Sequence, residues 1–378
     1  MNPKNSMEKL QIIDLVRSVS ILAVMALHLK PTLPLPSPFF RWGWDHFQRN
    51  GAYGVSIFFV ISGFLITRLI DRQKKGILNP DLREFYVRRL ARIFPLLLFV
   101  VLAGLLLTYG LDDPSKKFDY CFKNPGVKLT YSFWISLATF SYNWFQVFNP
   151  SNYPGIYWAA LWSLSIEEQF YLFYPLLLSR LKSRKILAMA LCGIIGFSFL
   201  WRGGVFWLGF KGSAPSLRGS FGAFDQIAFG ALLYLAAQKF RPYLLKNPGV
   251  VFFLCGSGFL ITLTTYLTTF TGDDIDLIYG PFLIALGVFL FLLGGLHLSF
   301  FEAKPLKILT LPGRYSYGNY LFHGAALYFI HPFLLDKNIL VAFFIFVWAT
   351  TCFSAVSFHF FETPANHLIR KYFGIMNK

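Results

Sequence analysis

The chain has 378 residues and a formal net charge of +17, with 35 Lys and Arg against 18 Asp and Glu. Hydrophobic residues make up 55% of it and charged residues only 14%, whereas a soluble domain carries about 25% charged residues. This composition excludes a soluble globular enzyme, a disordered chain and a disulfide-rich secreted protein. It predicts an all-α, polytopic integral membrane protein, with one domain over residues 1–378 and no fused soluble domain.

Apolar runs define the predicted membrane spans, since a helix needs about 20 apolar residues to cross the hydrocarbon layer. Ten runs are predicted to cross: 12–30, 52–70, 90–110, 158–179, 186–203, 222–238, 249–270, 277–297, 316–334 and 339–361. A further run at 129–146 is rich in Ser, Thr and Asn, and the loop charges agree only if it does not cross. We therefore predict a re-entrant or interfacial segment there.

Loop charge sets the predicted direction of the spans, because Lys and Arg concentrate on the cytoplasmic side. Basic residues cluster at 72–92, 180–185, 239–246 and 304–307 and in the C-terminal tail. Asp273, Asp274 and Asp276 form an acidic stretch. Both termini are thus predicted to be cytoplasmic, and the acidic stretch to face outwards.

The cysteines and the excess positive charge give no sign of a metal site or a nucleic-acid partner. Cys121, Cys192, Cys255 and Cys352 form no CxxC pair and are expected to be free. The positive charge follows the loops of a membrane topology, and it leaves room for one anionic ligand.

Ionisable side chains in the first predicted span share one helix face. Arg17 and His28 are eleven residues apart, which puts them on the same side of an α-helix and about 16 Å apart along its axis. Asp14 lies one turn before Arg17 and can pair with it. A charge inside a span costs about 2.5–3.5 kcal/mol, so this face suggests a functional site. The alternative is a structural Asp14–Arg17 pair and an interfacial histidine.

Two later predicted spans also carry polar residues at helical spacing. They are Ser163, Glu167, Tyr171 and Tyr174 in one span, and Ser316, Tyr320 and His323 in the other. Each set lies on one helix face and suggests the lining of a polar cavity. A hydrogen-bond clamp at Glu167 and a buried structural histidine at His323 are the alternatives. Asp225 and Glu362 are further acids in predicted spans.

Three arginines, Arg88, Arg89 and Arg92, lie where the chain re-enters the membrane after its second span. Arg89 and Arg92 are one helical turn apart, and a guanidinium group offers a bidentate fork to phosphate oxygens. The cluster predicts a cytoplasmic site for a phosphate-bearing ligand. Topology-setting charge or contact with lipid headgroups would explain the same pattern.

A series of motifs resembles the membrane-bound acyltransferase-3 family over nearly the whole chain. The motifs are Asp14-x-x-Arg17 with His28 after it, Ser56-Ile-Phe-Phe-Val-Ile-Ser-Gly-Phe-Leu, Arg89-x-x-Arg92-Ile-Phe-Pro, Trp162-Ser-Leu-Ser-Ile-Glu167-Glu-Gln-Phe-Tyr, Gly313-Arg-Tyr-Ser-Tyr-Gly-Asn-Tyr-Leu-Phe-His323 and Phe361-Glu-Thr-Pro. Two positions depart from the family pattern, since Ser18 replaces a usual glycine and Gly324 a frequent proline.

The resemblance implies transfer of an acyl group, commonly acetyl from acetyl-CoA, across the inner membrane to a hydroxyl of an envelope glycan, a glycolipid or another small molecule. Acyl-CoA is then a co-substrate, and no bound cofactor is implied. The resemblance also implies that His28 is catalytic, that Arg17 supports it, and that Arg89 and Arg92, beside Arg88, serve the cytoplasmic acyl-CoA.

Roles for the other motif residues are inferred from chemistry. Arg17, Glu167 and Tyr320 would line the path of the pantetheine arm, and Tyr320 or Ser316 would donate to the oxyanion. His28 either takes the proton of the acceptor hydroxyl or forms an acyl-histidine intermediate, and the sequence leaves both routes open. His323 is expected to position the reactants.

Two other classes of function fit parts of the sequence. A secondary transporter or exporter of a small polar solute would also carry charges inside its spans, but the sequence shows no inverted repeat. A non-catalytic membrane scaffold is the other alternative, and it would tolerate the loss of His28.

Overall fold

The computed structural model describes residues 11–29, 37–110, 129–149, 155–209, 218–269, 275–334 and 336–375. Every regular element in these ranges is a helix, which confirms the all-α prediction. The α-helices are α1 (Gln11–His28), α2 (Pro38–Arg49), α3 (Tyr53–Asp71), α4 (Leu82–Gly110), α5 (Tyr131–Ala138), α6 (Tyr142–Phe148), α7 (Ile156–Ala159), α8 (Leu161–Arg180), α9 (Arg184–Trp207), α10 (Ser220–Lys246), α11 (Pro248–Thr268), α12 (Asp276–Gly295), α13 (Leu311–Arg314), α14 (Ser316–Ile330), α15 (Ile339–Ser357) and α16 (Thr363–Tyr372). Short 3₁₀ helices lie at Ser299–Glu302, Lys304–Lys307 and His331–Phe333, and a π-helical turn at Phe358–Glu362 joins α15 to α16.

Eight helical segments among the described residues are long and apolar enough to cross a membrane. They are α1, α3, α4, α9, α10, α11, α12 and the segment Ile339–Tyr372, and each contains most of one predicted span. The predicted spans 158–179 and 316–334 are helical but fall outside this set. The first corresponds to α8, where Glu167, Glu168 and Gln169 lower the hydropathy, and the second to α14, which has 15 residues.

The predicted non-crossing run at 129–146 forms two short helices, α5 and α6, of 8 and 7 residues. Neither approaches the roughly 20 residues needed to cross the hydrocarbon layer. Phe140 lies between them with a φ of 51°. The Gln169 side chain donates to the Phe140 carbonyl at 2.6 Å and to Asn143 Oδ1 at 2.9 Å, so it ties the break to α8.

Glycines bring α3 and α10 into backbone contact. A Cβ at Gly63 would overlap the carbonyl oxygen of Ile227, and a Cβ at Gly230 would overlap that of Val60. Small residues at such an interface supply the close van der Waals packing that holds membrane helices together. The packing fixes α3, which contributes one wall of the site described below.

A fully buried ion pair joins α9 to α10. Arg202 Nη2 lies 2.7 Å from Asp225 Oδ2, and both side chains are 0% exposed. The same guanidinium group donates from Nε to the Ile278 carbonyl at 2.9 Å and from Nη1 to the Gly222 carbonyl. Asp225 was identified from sequence as a membrane-embedded acid, whereas its partner was not.

One end of the bundle collects basic segments of the chain. Asp71, at the end of α3, accepts a hydrogen bond of 2.8 Å from Arg184 at the start of α9 and another of 2.8 Å from Tyr234 on α10. The start of the basic stretch 72–92 therefore lies beside the end of the basic stretch 180–185. We call this side of the bundle the basic end.

The opposite end joins α2, α3, α11 and α12. Asn50, just before α3, donates a hydrogen bond of 2.7 Å to the Thr269 carbonyl after α11. Asp276 begins α12 at this end, whereas Asp273 and Asp274 lie outside the described residues. The described acidic and basic segments thus lie at opposite ends, as the predicted topology requires.

The described cysteines are free thiols. They are Cys192, Cys255 and Cys352, and Cys121 lies outside the described residues.

Candidate active site

A cavity of about 340 Å³ extends from the basic end into the bundle between α1, α3, α4, α8 and α14. Among the described residues, six arginines line it: Arg17, Arg68, Arg72, Arg88, Arg89 and Arg92. Glu167 is the acid among these described lining residues. We call this space the arginine cavity, and its charge suits an anionic ligand.

Arg89 is held by two carboxylates of α8. Its Nη2 lies 3.4 Å from Glu167 Oε2 and 3.0 Å from Glu168 Oε1. The guanidinium carbon also lies 3.9 Å from the centre of the Tyr171 ring. Both acids thus contact one arginine, and these contacts are those of an interhelical clamp beside the cavity. Phosphate binding by Arg89 stays a prediction.

The other arginines of the predicted cluster differ in their partners. Arg88 forms a salt bridge of 2.7 Å with Glu84 on its own helix. Arg92 forms no salt bridge with a described residue, and its side chain is exposed to the cavity. Arg17 reaches the same cavity from α1, and its Nη1 lies 3.5 Å from Asp14 Oδ1, as the spacing predicted. Arg17 and Arg92 are thus the arginines best placed to meet a ligand inside the bundle.

Two hydroxyl groups close the inner end of the arginine cavity. Ser163 Oγ lies 2.6 Å from the Tyr320 hydroxyl, and the Phe58 ring packs edge-on against Tyr320 with 6.0 Å between ring centres. Ser163 Oγ also lies 3.3 Å from the Ala160 carbonyl, to which it can donate. When Ser163 donates to Tyr320 instead, the Tyr320 hydroxyl keeps its own hydrogen for a group that arrives from the cavity.

Two histidines lie in contact just beyond Tyr320. The ring centres of His28 on α1 and His323 on α14 are 4.9 Å apart, and the rings are tilted by 42°. The Tyr320 and His323 ring centres are 5.9 Å apart. Both histidines were identified from sequence, but their contact follows only from the packing of α1 against α14. We call them the histidine pair.

Backbone contacts fix the tautomer of each imidazole in the histidine pair. His28 Nδ1 lies 2.9 Å from the Val24 carbonyl, and His323 Nδ1 lies 2.6 Å from the Tyr320 carbonyl. A carbonyl oxygen only accepts, so each Nδ1 carries the hydrogen and each neutral ring keeps a lone pair on Nε2. His323 Nε2 is buried without a partner among the described residues. The pair therefore presents two basic nitrogens.

The structure brings most of the predicted site residues together. Arg17, Arg88, Arg89, Arg92, Glu167, Ser316 and Tyr320 line the arginine cavity, and His28 and His323 lie past its inner end. Tyr174, predicted on the Glu167 face, does not line the cavity; its hydroxyl lies 3.0 Å from Thr67 Oγ1.

Sequence reasoning missed the contribution of α3. Ser62 donates a hydrogen bond of 2.8 Å to Glu167, and Arg72 lines the cavity near its mouth. Phe58, Ser62, Leu65 and Arg72 follow an i, i+4, i+7, i+14 spacing, which marks one face of a helix. The position of Ser62 on the same helix face as Arg72 is the sequence pattern that could have shown that α3 lines the cavity.

Comparison with known proteins identifies the family. The family model for an acyltransferase domain, acyltransferase 3, matches residues 10–359. This chain belongs to the acyltransferase-3 family. The matched range contains all of the residues named above in the arginine cavity and the histidine pair.

Several relatives of this family member carry names of O-acetyltransferases. It is 30% identical over 370 residues to a "putative O-acetyltransferase" of Staphylococcus aureus strain COL, covering 93% of this chain and 56% of the relative. It is 27% identical over 392 residues to the peptidoglycan O-acetyltransferase OatA of Listeria monocytogenes, covering 97% and 57%. It is 28% identical over 388 residues to the O-acetyltransferase OatA of S. aureus, covering 97% and 58%. The chain thus spans a little over half the length of these relatives. No solved structure matches it.

The two departures from the family pattern each have a local role. Ser18 donates to the Asp14 carbonyl at 3.0 Å and accepts a hydrogen bond of 2.8 Å from the Gly313 amide, so it ties α1 to α13. A Cβ at Gly324 would lie 2.9 Å from the Tyr157 Cα atom. Ser18 thus adds hydrogen bonds between α1 and α13, and Gly324 lies where the backbone of α7 approaches α14 closely.

Proposed function

We propose that this chain is a membrane O-acyltransferase. It moves an acyl group, most simply acetyl, from acyl-CoA at the basic end to a hydroxyl of a cell-envelope glycan or glycolipid at the opposite end. The basic end then faces the cytoplasm, and the protein lies in the cell (inner) membrane with both termini inside. The observation that carries the proposal is a cationic cavity that ends at Tyr320, directly beside the histidine pair.

The charge of the arginine cavity supports coenzyme A as the carrier of the acyl group. Coenzyme A has several phosphates and cannot cross lipid, whereas its pantetheine arm is uncharged and narrow. Arginine binds phosphate through paired, charge-assisted hydrogen bonds. Arg17 and Arg92 would therefore hold phosphate oxygens, and the arm would extend along Glu167 and Tyr171 to the inner end of the cavity.

The histidine pair and the closing hydroxyls supply the chemistry of transfer. The acceptor hydroxyl gives its proton to His28 Nε2 as its oxygen attacks the thioester carbonyl. With Ser163 donating to Tyr320, the Tyr320 hydroxyl donates to the oxyanion that develops. The C–S bond then breaks, the ester forms, and the thiolate of coenzyme A takes the proton back from His28. A positioned base of this kind contributes about 10²–10⁴-fold to rate.

The test of this function is a transfer assay with purified protein. Protein in detergent or proteoliposomes is mixed with acetyl-CoA labelled in the acetyl group and with envelope glycan fragments. We expect release of free coenzyme A together with label in the glycan. Uptake of a solute into proteoliposomes without acyl-CoA, and no loss of label from acetyl-CoA, would instead identify a transporter.

Arg92 is expected to contribute to the affinity for acyl-CoA. We expect Arg92→Gln to weaken acetyl-CoA binding by about 10- to 100-fold, because a hydrogen bond to a charged group contributes about 1.5–3 kcal/mol. Arg92→Lys should recover only part of this loss, since it keeps the charge and loses the fork. Isothermal titration of purified protein measures both.

A control variant and a second test variant accompany Arg92→Gln. Lys74→Gln removes an exposed charge at the same end and should leave affinity nearly unchanged. Arg89→Lys should also weaken binding, because lysine lacks the bidentate fork, and it would in addition loosen the contacts with Glu167 and Glu168. Equal affinity in wild type, Arg92→Gln and Arg92→Lys would leave topology-setting charge as the explanation of the cluster.

Membrane orientation is tested by single-cysteine labelling. In a variant whose native cysteines are replaced by serine, Lys182→Cys should react with a membrane-impermeant maleimide only after the cells are opened. Asp274→Cys should react in intact cells. This result follows if the basic end is cytoplasmic. Labelling in the reverse order would invert the proposed topology.

A further inference from the structure

A second cavity of about 400 Å³ lies beside the arginine cavity on the side of the C-terminal helices. Its walls come from α1, α4, α13, α14, α15, the π-helical turn at Phe358–Glu362 and α16. Both volumes fall in the range of about 300–1,000 Å³ that is usual for small-molecule sites. Part of its wall, including Glu362 and Asn366, lies beyond the residues matched by the family model.

The two cavities meet at shared residues. Arg17, Arg92 and Tyr317 line both of them. The two cavities are therefore neighbours, with both arginines at their junction.

The second cavity combines a cation with aromatic rings. Arg314 lines it and is exposed, with its guanidinium carbon 5.7 Å from the centre of the Tyr315 ring. The Tyr315 and Phe358 rings lie edge to face with 5.6 Å between their centres. The Tyr315 hydroxyl is anchored by His359, whose Nε2 lies 3.2 Å away. Aromatic rings stack on nucleobases, and arginine holds phosphate.

The described charges that line the second cavity leave it positive, because Arg17, Arg92 and Arg314 face two acids, Asp14 and Glu362. Asp14 pairs with Arg17, and Glu362 accepts a hydrogen bond of 3.3 Å from Ser357. Arg92 and Arg314 form no salt bridge with a described residue. The two cations thus mark two separate places for phosphate, one at the junction of the cavities and one beyond it. The π-helical turn that carries Phe358 is a feature often found at functional sites.

We propose that the second cavity binds the adenosine 3′-phosphate end of acyl-CoA, with Arg314 on the 3′-phosphate and the Tyr315 and Phe358 rings beside the adenine. The diphosphate then lies at the junction between Arg17 and Arg92, and the pantetheine arm occupies the arginine cavity. This assignment rests on the proposed function, because it locates one part of the donor named there. The order of groups along acyl-CoA matches the order of the sites. The adenine and 3′-phosphate lie in the second cavity, the diphosphate at the junction, and the uncharged arm in the arginine cavity.

The experiment compares two donors that differ by one phosphate. Affinities of purified protein for acetyl-CoA and for acetyl-dephospho-CoA, which lacks the 3′-phosphate, are measured by isothermal titration for wild type and Arg314→Gln. We expect wild type to bind acetyl-CoA about 10- to 100-fold more tightly than the dephospho form. Arg314→Gln should lose this preference and bind both ligands as weakly as wild type binds the dephospho form.

Two further variants keep the result interpretable. Arg314→Lys should restore part of the preference, because it keeps the charge. Lys307→Gln removes an exposed lysine nearby and should leave the preference intact. An equal loss of affinity for both donors in Arg314→Gln, or an unchanged preference, would overturn the assignment.

Other outcomes separate this inference from the proposed function. Wild type that binds neither donor would reject both. Wild type that binds both donors equally would reject the adenosine 3′-phosphate site and leave the acyltransferase proposal standing.

A lipid phosphate is the other source of the same chemistry, and it is tested by titration in nanodiscs with and without anionic lipid. Competition by anionic lipid that disappears in Arg314→Gln would assign the cavity to a lipid headgroup and overturn the inference.

Discussion

Replacement of His28 by alanine should lower acyl transfer by at least about 10²–10⁴-fold, the usual contribution of a positioned base. The fixed hydrogen at Nδ1 leaves Nε2 as the basic atom, and alanine removes it. Binding of acetyl-CoA should persist, because His28 lies beyond the inner end of the arginine cavity. Transfer of labelled acetyl and titration with acetyl-CoA, on the same preparation, measure the two effects.

Companion variants separate the two members of the histidine pair. His28→Gln should also be inactive, since an amide forms hydrogen bonds but does not take the proton. His323→Ala should reduce activity less, as expected of a residue that positions His28. His297→Ala is the matched control, because its Nδ1 lies 3.0 Å from the Leu293 carbonyl in the same arrangement away from the site. Full turnover by His28→Ala would refute the assignment, and an inactive His323→Ala beside an active His28→Ala would move the base to α14.

Asp225→Ala should destabilise the protein by about 3–5 kcal/mol, because it leaves the buried guanidinium of Arg202 without its counter-charge. Both side chains are 0% exposed, so water does not replace the lost partner. The measurement is the free energy of unfolding in mixed detergent micelles, followed by circular dichroism.

A second ion pair provides the control for Asp225→Ala. Arg184→Ala breaks the pair with Asp71, in which the arginine side chain is 54% exposed, and should cost less than about 1 kcal/mol. The double variant Arg202→Met, Asp225→Leu should be more stable than Asp225→Ala, since it buries no charge. Similar stabilities of Asp225→Ala and Arg184→Ala would contradict a structural role for the buried pair.

The sequence was sufficient for features that depend on one helix at a time. Hydropathy located the helices, and the spacing of Arg17 and His28 placed both on the face of α1 that borders the site. The break of 129–146 into two short helices also agrees with its predicted failure to cross. These features follow from helix periodicity and the length of a span, which are local properties.

Features that depend on two helices were out of reach. The arginine spacing singled out Arg89 and Arg92 equally, but only the packing of α4 against α8 gives Arg89 two carboxylates and leaves Arg92 open to the cavity. The contact of His28 with His323 likewise needs α1 and α14 side by side, a placement that Ser18 and Gly313 help to fix. Sequence spacing carries no information on which faces meet.

The closure between Ser163 and Tyr320 has an electrical consequence. A membrane potential does about 2.3 kcal/mol of work on each elementary charge per 100 mV. The arginine cavity opens at the basic end near the exposed Arg72, so most of the voltage would fall between the layer of Phe58, Ser163 and Tyr320 and the opposite end of the bundle. In the proposed reaction the phosphates stay on one side of that layer, while the acyl group and the hydroxyl proton cross it in opposite directions, so no net charge is moved. Turnover would then be independent of voltage, and the enzyme would work equally in energised and de-energised cells.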